Sequence, residues 1–590
     1  MRRLVIAIAF LGTLASGIVA GAEPDPQPPV VLNDFSTCTP RSALATKPEW
    51  DRWQVIEYEA AGVSGKMIGA KSMIEPPPVT LPLGVTGWHK IFVGYWNPYF
   101  EGDGEMVLRL KLTGDPCFDR ILEEKPEVGE AEQVHPGKTS IIEAFWRADD
   151  LTGKDLAIGK FKGAKAYIAY VNLVPMSPEE VAAVKEERQR KRNHRLVGSV
   201  DGTAFQKYYH SIPTEEDLRE WVEVYRDSDV GKIVWAVSYG DWVNYPSEFG
   251  TLWTEIDTYG QMKDNIYYHW IHPILRGLKA KGIVTQDVVA KHLHSMGMKF
   301  DIMIRPSIQR NPLESMQGFF EEHPELRIRH PDGSPVEKLS FAYPEVRDFT
   351  LSIIREASER FDVDGVNICF VRLNLCMGWE KPVADAFRAK YGTDPYNVSE
   401  NDDRMREVRS EFLLQFMRDA RKVLDEVGKK KGKRLELSAW VWPWAGHRGY
   451  SPLFNVDYRT MMKEKLLDSV IIHQGAGVDQ EDLAIAQANG CKYIIAPDGG
   501  GEGMAKALVD GYAKGIDGAA EWDINYPRFK GQAGYEKRWK YLKVAGSPEE
   551  LKKVLASPPP PLEKRFVTIH KLNGKSVSGK DLWQAVYAGG

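Results

Sequence analysis

Between residues 47 and 175 the apolar positions come in short runs, GWHKIFVGYW, GEMVLRLKLTG, SIIEAFWRADDL and KAYIAYVNLVP, broken by glycine and proline. Runs of this length, with turn residues between them and no helical stretches, predict the strands of a β-sandwich. After residue 198 the pattern changes. Stretches with apolar residues three and four apart now precede short, nearly continuous apolar runs, as in VTQDVVAKHLHSMGMKFDIMIRP, PEVRDFTLSIIREASERFDVDGVNICFVR and EDLAIAQANGCKYIIAPD. Helix-then-strand units of this kind predict a parallel sheet covered by helices. Seven strands are legible, the others closing KIVWAVSYGD, RLELSAWVWP, SVIIHQ and GIDGAAEWD. Spread over more than the ~250 residues typical of such a barrel, they predict a (β/α)8 TIM-like barrel with one strand missed or irregular. A doubly wound open sheet is the alternative, but no G-x-G-x-x-G follows any of the strands.

The chain therefore divides into a multidomain protein, an N-terminal β-sandwich followed by the barrel. Residues 1–22 form a signal peptide: two arginines, an apolar run from Leu4, and a small-residue ending at Ala20, Gly21 and Ala22. Residues 23–176 form the sandwich, expected to resemble a carbohydrate-binding module, and 177–197 a charged linker helix opened by Ser177 and Pro178. The barrel spans 198–545, and 546–590 hold a proline-rich spacer and a C-terminal extension that can add a strand. Beyond the leader no segment approaches ~18 uninterrupted apolar residues, so an exported protein without a transmembrane segment is expected, periplasmic or extracellular.

Lysine and arginine number 77 against 82 aspartates and glutamates, a net charge of -5 in 590 residues, which leaves no basic field for nucleic acid. The five cysteines contain no zinc-type CxxC pair. Cys38 and Cys117 both fall in the N-terminal region and can bridge in an oxidising compartment if geometry allows; Cys369 and Cys491 sit in apolar runs, as small buried hydrophobes do. No cofactor and no metal is expected, and the oligomeric state is open.

In a parallel barrel the reacting groups stand at the C-terminal ends of strands, and alternation decides which side chains face inward. In RLELSAWVWP it sends Glu436, Ser438, Trp440 and Trp442 inward, with Glu436 deep. In KFDIMIRP it sends Asp301, Met303 and Arg305 inward, Asp301 as a buried structural partner and Arg305 at the mouth. In GIDGAAEWD it puts Ala519, Glu521 and Asp523 on one inward face. Glu521 and Asp523, with Asp498 at the end of YIIAPDGGGEG, are the acid and base candidates. Tyr239, Asp241, Trp440, Trp442 and His473 are candidate substrate contacts, in a chain whose aromatics (Trp235, Trp242, Trp379, Trp444 and Trp522 among them) crowd the expected mouth. Flat rings stack on sugars while aspartate, asparagine, arginine and histidine hold hydroxyls, so the mixture points to a carbohydrate. Each of these residues is also open to a plain structural reading, as core ring or satisfied network member.

FFEEHPELRIRHPDGSP, LSFAYPEVRDFTLSIIREASERFDVDGVNICFVR, FRAKYGTDP and KGIDGAAEWD together resemble the glycoside-hydrolase-like barrels of environmental bacteria, distantly related to alpha-amylase-type enzymes. The resemblance covers most of residues 198–545, and AKAYIAYVNLVPMSPEE is similar to the end of the sandwich that often precedes such barrels. It implies an aspartate nucleophile at the position of Cys369, with Arg372 matching the family's arginine and Asn367 inward below. Here the carboxylate is replaced by a thiol, which is mostly neutral at physiological pH and a poor substitute. The expected function is therefore hydrolysis of a poly- or oligosaccharide by Glu521, Asp523 or Asp498. Carboxyls about 5–5.5 Å apart imply retention and about 6.5–9.5 Å inversion. The alternative is a catalytically inactive glycan-binding protein on a degenerate barrel. A metal-dependent barrel using His473 and Asp498 is a third reading, against which stands the lack of paired-histidine spacing.

Overall fold

The computed structural model describes residues 28–98, 105–123, 139–161, 163–202, 211–252, 266–308, 318–372, 376–399, 402–445, 454–473, 477–498, 501–524, 538–558 and 564–577. The predicted signal peptide lies outside the described residues. Eight parallel strands form a closed barrel: β1 (Leu196–Val200), β2 (Val230–Tyr239), β3 (Lys299–Arg305), β4 (Gly365–Cys369), β5 (Glu436–Val441), β6 (Ser469–His473), β7 (Lys492–Ala496) and β8 (Gly518–Glu521). Each pairs with the next in sequence, and β1 closes the ring by pairing with both β2 and β8, Val200 against Trp235 and Leu196 against Ala519. At least one helix separates every consecutive pair of strands, from Glu215–Glu223 after β1 to Gly501–Lys514 before β8. Local signals start and stop them: Asp479 accepts from the backbone N–H of Glu481 and Asp482 at the head of Gln480–Asn489, and Gly490 ends that helix in the left-handed region at φ 72°.

The strand that the hydrophobic pattern did not reveal is β1. Its five residues, LVGSV, follow a basic run and carry too few apolar side chains to stand out. Gly198 is required at its centre, because a Cβ there would lie 2.6 Å from the side chain of Ile524, which follows β8. The linker therefore ends before residue 196, and the first strand is built from residues read as linker and loop.

Two cores separate cleanly across the barrel wall. Ile233, Ile302, Ile368, Ala439, Ile472, Ile495 and Ala519 pack with the helices outside. Val234, Met303, Cys369, Trp440, Ile471, Ala496 and Ala520 fill the interior. At the closed end Lys232 bridges Asp301 and Glu436, each at 2.6 Å, and Lys299 joins Glu436 from outside. Burial opposes the Glu436 charge, yet the two lysines hold its carboxyl down at about 2.

Two largely antiparallel sheets lie N-terminal to the barrel. The smaller joins Val79–Pro82, Asp155–Lys160, Met106–Leu112 and Asp119–Glu123, and its Leu108, Leu110 and Ile158 share one core with Ile68, Ile91, Val93 and Ile142 of the larger. Lys564–Leu572 joins the larger sheet between Ser140–Asp150 and Trp53–Ala60, so the C-terminal extension returns to the N-terminal unit. Helix Pro178–Gln189 carries the expected capping box of Ser177 and Glu180 and buries none of its residues. Cys38 and Cys117 are both buried free thiols, Cys38 inside the shared core, so the disulfide considered for them is not formed. Among the described residues no helix is long and apolar enough to cross a membrane.

Candidate functional site

The C-terminal ends of the strands converge on a polar cluster floored by aromatic rings. Its first member, Asp201, follows β1. There Gly202 lets the chain pass close to β2, since a Cβ would come within 1.8 Å of the Ala236 carbonyl oxygen. Asp201 accepts a hydrogen bond from the Tyr239 hydroxyl at the end of β2, and its other oxygen lies 3.9 Å from the Arg305 guanidinium at the end of β3. Arg305 in turn lies over the Tyr239 ring, 4.7 Å from its centre.

Asp523 enters the same cluster from the far side of the β1–β8 seam. The residue adopts φ +50°, a conformation uncommon for aspartate, and its backbone N–H donates to Ser199 Oγ at 2.9 Å. This kink abandons strand alternation and brings the carboxyl toward Asp201, Arg305 and Arg372. Burial, reinforced by the neighbouring Asp201, raises the Asp523 carboxyl to about 6 against the pull of the two arginines.

The floor and far wall are aromatic. Trp522 meets Trp440 edge-to-face at 5.0 Å, and His473 lies 5.2 Å from Trp522 and 4.9 Å from Trp442. Trp440 Nε1 donates to His473 Nδ1 at 3.2 Å, which fixes that nitrogen as an acceptor. Burial, with Arg372 nearby, lowers His473 to about 4, so it is a neutral imidazole at physiological pH. Arg372 spreads over the Trp522 ring at 5.2 Å. Cys369 is fully buried beneath these groups, and burial outweighs Arg305 and Arg372 to push its thiol up, so it supplies no thiolate. Asn367 lies below, its amide donating to Ser438 Oγ at 2.8 Å and its buried Oδ1 unpaired.

Of the residues singled out from sequence, Asp523, Arg305, Arg372, Tyr239, Trp440, Trp442 and His473 assemble here, above Cys369 and Asn367. Glu521 requires correction. Ala520 and Trp522 are the inward residues of this strand, Ala519 packs with the helices, and Glu521 pairs with Arg538 on the outer side. The inward set was thus off by one residue, an error that a period of two turns into the opposite face. Asp241 is also corrected. It is buried, and its Oδ2 accepts the Phe320 backbone N–H at 3.0 Å, tying down the segment after Gly318 instead of facing the mouth. Asp498 stands exposed after β7 and is not drawn into the cluster. Trp235 packs in the helix layer, Trp379 is buried against Arg409, and Trp444 stacks with Arg459 and Tyr458. Sequence reading missed Asp201 because its strand was missed. The signal was present, since SVDG ends a run of small and apolar residues on an acidic side chain, as a barrel strand end does.

No family model matches the chain. An S-layer-related protein of Niallia circulans is 30% identical over 148 residues, covering 20% of this chain, which spans only 9% of that relative's length. Among solved structures, alpha-L-fucosidase isoenzyme 2 from Paenibacillus thiaminolyticus aligns over 62% of this chain and 50% of its own, with 14% identity and a TM-score of 0.37. The glycoside hydrolase domain of PgaB (BpsB) from Bordetella bronchiseptica aligns over 57% and 96%, with 12% identity and a TM-score of 0.37. The beta-galactosidase of Marinomonas ef1 aligns over 61% and 59%, with 11% identity and a TM-score of 0.36.

Proposed function

We propose that this is an exported glycoside hydrolase that holds a poly- or oligosaccharide at the barrel mouth, with Asp523 as the proton donor and Asp201 as the second carboxylate. The observation that carries the reading is the pair itself. Two acidic side chains from the two sides of the β1–β8 seam act electrostatically on Arg305, and Asp201 acts on Asp523; burial raises Asp523 to about 6, while Asp201 accepts a hydrogen bond from Tyr239. A carboxyl held near neutral pKa can hand a proton to a leaving glycosidic oxygen, while one kept as an acceptor can stabilise the opposite face or activate water. Trp442 and Trp522 offer faces for sugar C–H stacking, and Arg372 and neutral His473 offer hydrogen bonds to hydroxyls. The position that would hold a nucleophile by family resemblance carries the buried Cys369 thiol at the end of β4, so on this reading the chemistry has moved to the β1–β8 seam.

In the same reading the N-terminal two-sheet unit acts as a carbohydrate-binding module and the leader directs export. The test is a polysaccharide and oligosaccharide screen with wild type, Asp523→Asn and Asp201→Asn. Turnover in wild type that falls about 10²–10⁴-fold in Asp523→Asn supports the assignment. Turnover unchanged by both substitutions refutes it, and glycan binding without turnover in wild type identifies a binding protein on a barrel that has lost hydrolysis.

A further inference from the structure

A second constellation lies far from the mouth, where the N-terminal unit meets the outer helices of the barrel. Cys117 comes from the loop between strands Met106–Leu112 and Asp119–Glu123 of the smaller N-terminal sheet. Glu223 ends helix Glu215–Glu223, which follows β1, and His292 lies in helix Thr285–Ser295, which precedes β3. The Cys117 Sγ, a Glu223 carboxylate oxygen and a His292 ring nitrogen all lie within 4.8 Å of one another, with Cys117 and His292 buried. We propose that these three side chains form a divalent transition-metal site of the zinc type that clamps the N-terminal unit to the barrel.

The donor chemistry selects the ion. A thiolate, an imidazole and a carboxylate suit zinc and its neighbours, whereas calcium and magnesium call for oxygen ligands throughout. A tetrahedral ion with bonds of about 2.0–2.3 Å holds its ligands closer together than the limit observed here, so binding needs a contraction within reach of side-chain rotation. Two further observations support a built site. Arg226 grips both oxygens of the Glu223 carboxylate, the kind of outer partner that orients a ligand, while the 2.6 Å contact of His292 Nε2 with Glu223 Oε2 is the one the ion would replace. A cavity of about 620 Å³, lined by Cys117, Glu223, Arg226 and Trp539, opens beside the triad and gives an entry path and room for a water as fourth ligand. On binding, the Cys117 sulfur forms the metal bond and its proton passes to solvent, so loading weakens as pH falls. The three ligands belong to separate elements, two of them barrel helices and one the N-terminal sheet, so the ion would cross-link regions far apart in sequence.

The full-length chain, freed of metal by chelation, is titrated with Co²⁺ and with Zn²⁺. The expected result is one ion per chain, a thiolate-to-cobalt charge-transfer band in the near ultraviolet, and a Zn²⁺-dependent rise in Tm. Cys117→Ala and His292→Ala should each lose the band and the rise. Cys38→Ala, whose thiol lies in the sheet core, should keep both. Absence of the band in folded wild type overturns the proposal. So does a band that persists in Cys117→Ala, since the ion would then sit elsewhere. Circular dichroism confirms that each variant is folded, and His292→Cys, which keeps a soft donor, should restore binding lost in His292→Ala if coordination is the role.

Discussion

The two ends of the barrel interior carry similar side chains to opposite purposes. At the closed end, Lys232 sits between Asp301 and Glu436 with both contacts at 2.6 Å, and Asp301 is fully buried. Each charge there has an opposite charge in direct contact, although burial still raises the Asp301 carboxyl to about 6. At the mouth, Arg305 stands 3.9 Å from the Asp201 carboxylate, and Asp523 is raised by burial and by a second aspartate. A matched ion network favours one folded arrangement, whereas an acid raised by a like-charged neighbour holds a repulsion that a ligand can relieve. Acidic residues inside a barrel are thus no guide to chemistry by themselves; how far each is already satisfied separates the structural end from the reactive one.

The sharpest way to break this contrast is to remove one charge at each end. Asp523→Asn should lower turnover on the preferred glycan by about 10²–10⁴-fold, some 3–5 kcal/mol in activation free energy, while the folded state survives. Lys232→Met should do the reverse. Removing the shared cation leaves Asp301 and Glu436 facing each other under cover, a cost of about 3–5 kcal/mol in chemical denaturation, with KM unchanged in whatever protein remains folded. If Asp523→Asn instead unfolds the chain, or Lys232→Met spares stability and abolishes turnover, the assignment of the two ends is inverted.

These two ends were not equally legible in the sequence. Asp301 and Glu436 lie within regular strands, where a period of two applies, and alternation placed both inward and deep. The mouth depends on residues where the period stops. Asp201 follows a five-residue strand whose apolar signal was too short to register, and Asp523 lies past the end of β8 at a positive φ, where strand alternation no longer applies. Glu521, still within the strand, is expected inward by alternation with Ala519 and Asp523, and pairs with Arg538 instead. The C-terminal strand Lys564–Leu572 was read as an extension because nothing local shows that its partners lie some four to five hundred residues earlier, in Ser140–Asp150 and Trp53–Ala60. Local pattern thus conveyed the repeated helix-and-strand units and their order. Closure at the β1–β8 seam, which creates the site, is a long-range fact.

The aromatic floor offers a gentler test. Trp442 is half-buried and meets His473 edge-to-face, so its truncation removes a stacking surface without emptying the barrel core. Trp442→Ala should weaken glycan binding about tenfold by isothermal titration calorimetry, a loss of roughly 1–1.5 kcal/mol. The same substitution at Trp440, which is fully buried and donates to His473, should cost stability as well. Equal effects of the two variants on stability would show that the floor is core and not a binding surface.

The smallest effect separates the ends by pH. Asp523 has its carboxyl raised from 3.8 to about 6, so between those values the folded chain holds a proton that the unfolded chain releases. Its contribution is fully present below pH ~4 and is lost as pH rises through about 6, above which the ionised, partly buried acid penalises folding. His473 works in the opposite sense. Its pKa falls from 6.5 to about 4 on folding, so the unfolded chain binds the extra proton and stability is lost as pH drops through that window. The two slopes oppose each other in wild type and hide one another in a plain Tm profile. Asp523→Asn removes only the first, so the difference in stability between variant and wild type isolates it. That difference should be smallest at pH ~4, grow in favour of the variant up to pH ~6, and level off at roughly 1–2 kcal/mol. A stabilised but inactive variant is what a site under electrostatic tension yields when the tension is removed. A flat difference across the window would mean that Asp523 carries no such tension, and its assignment as the proton donor would fail.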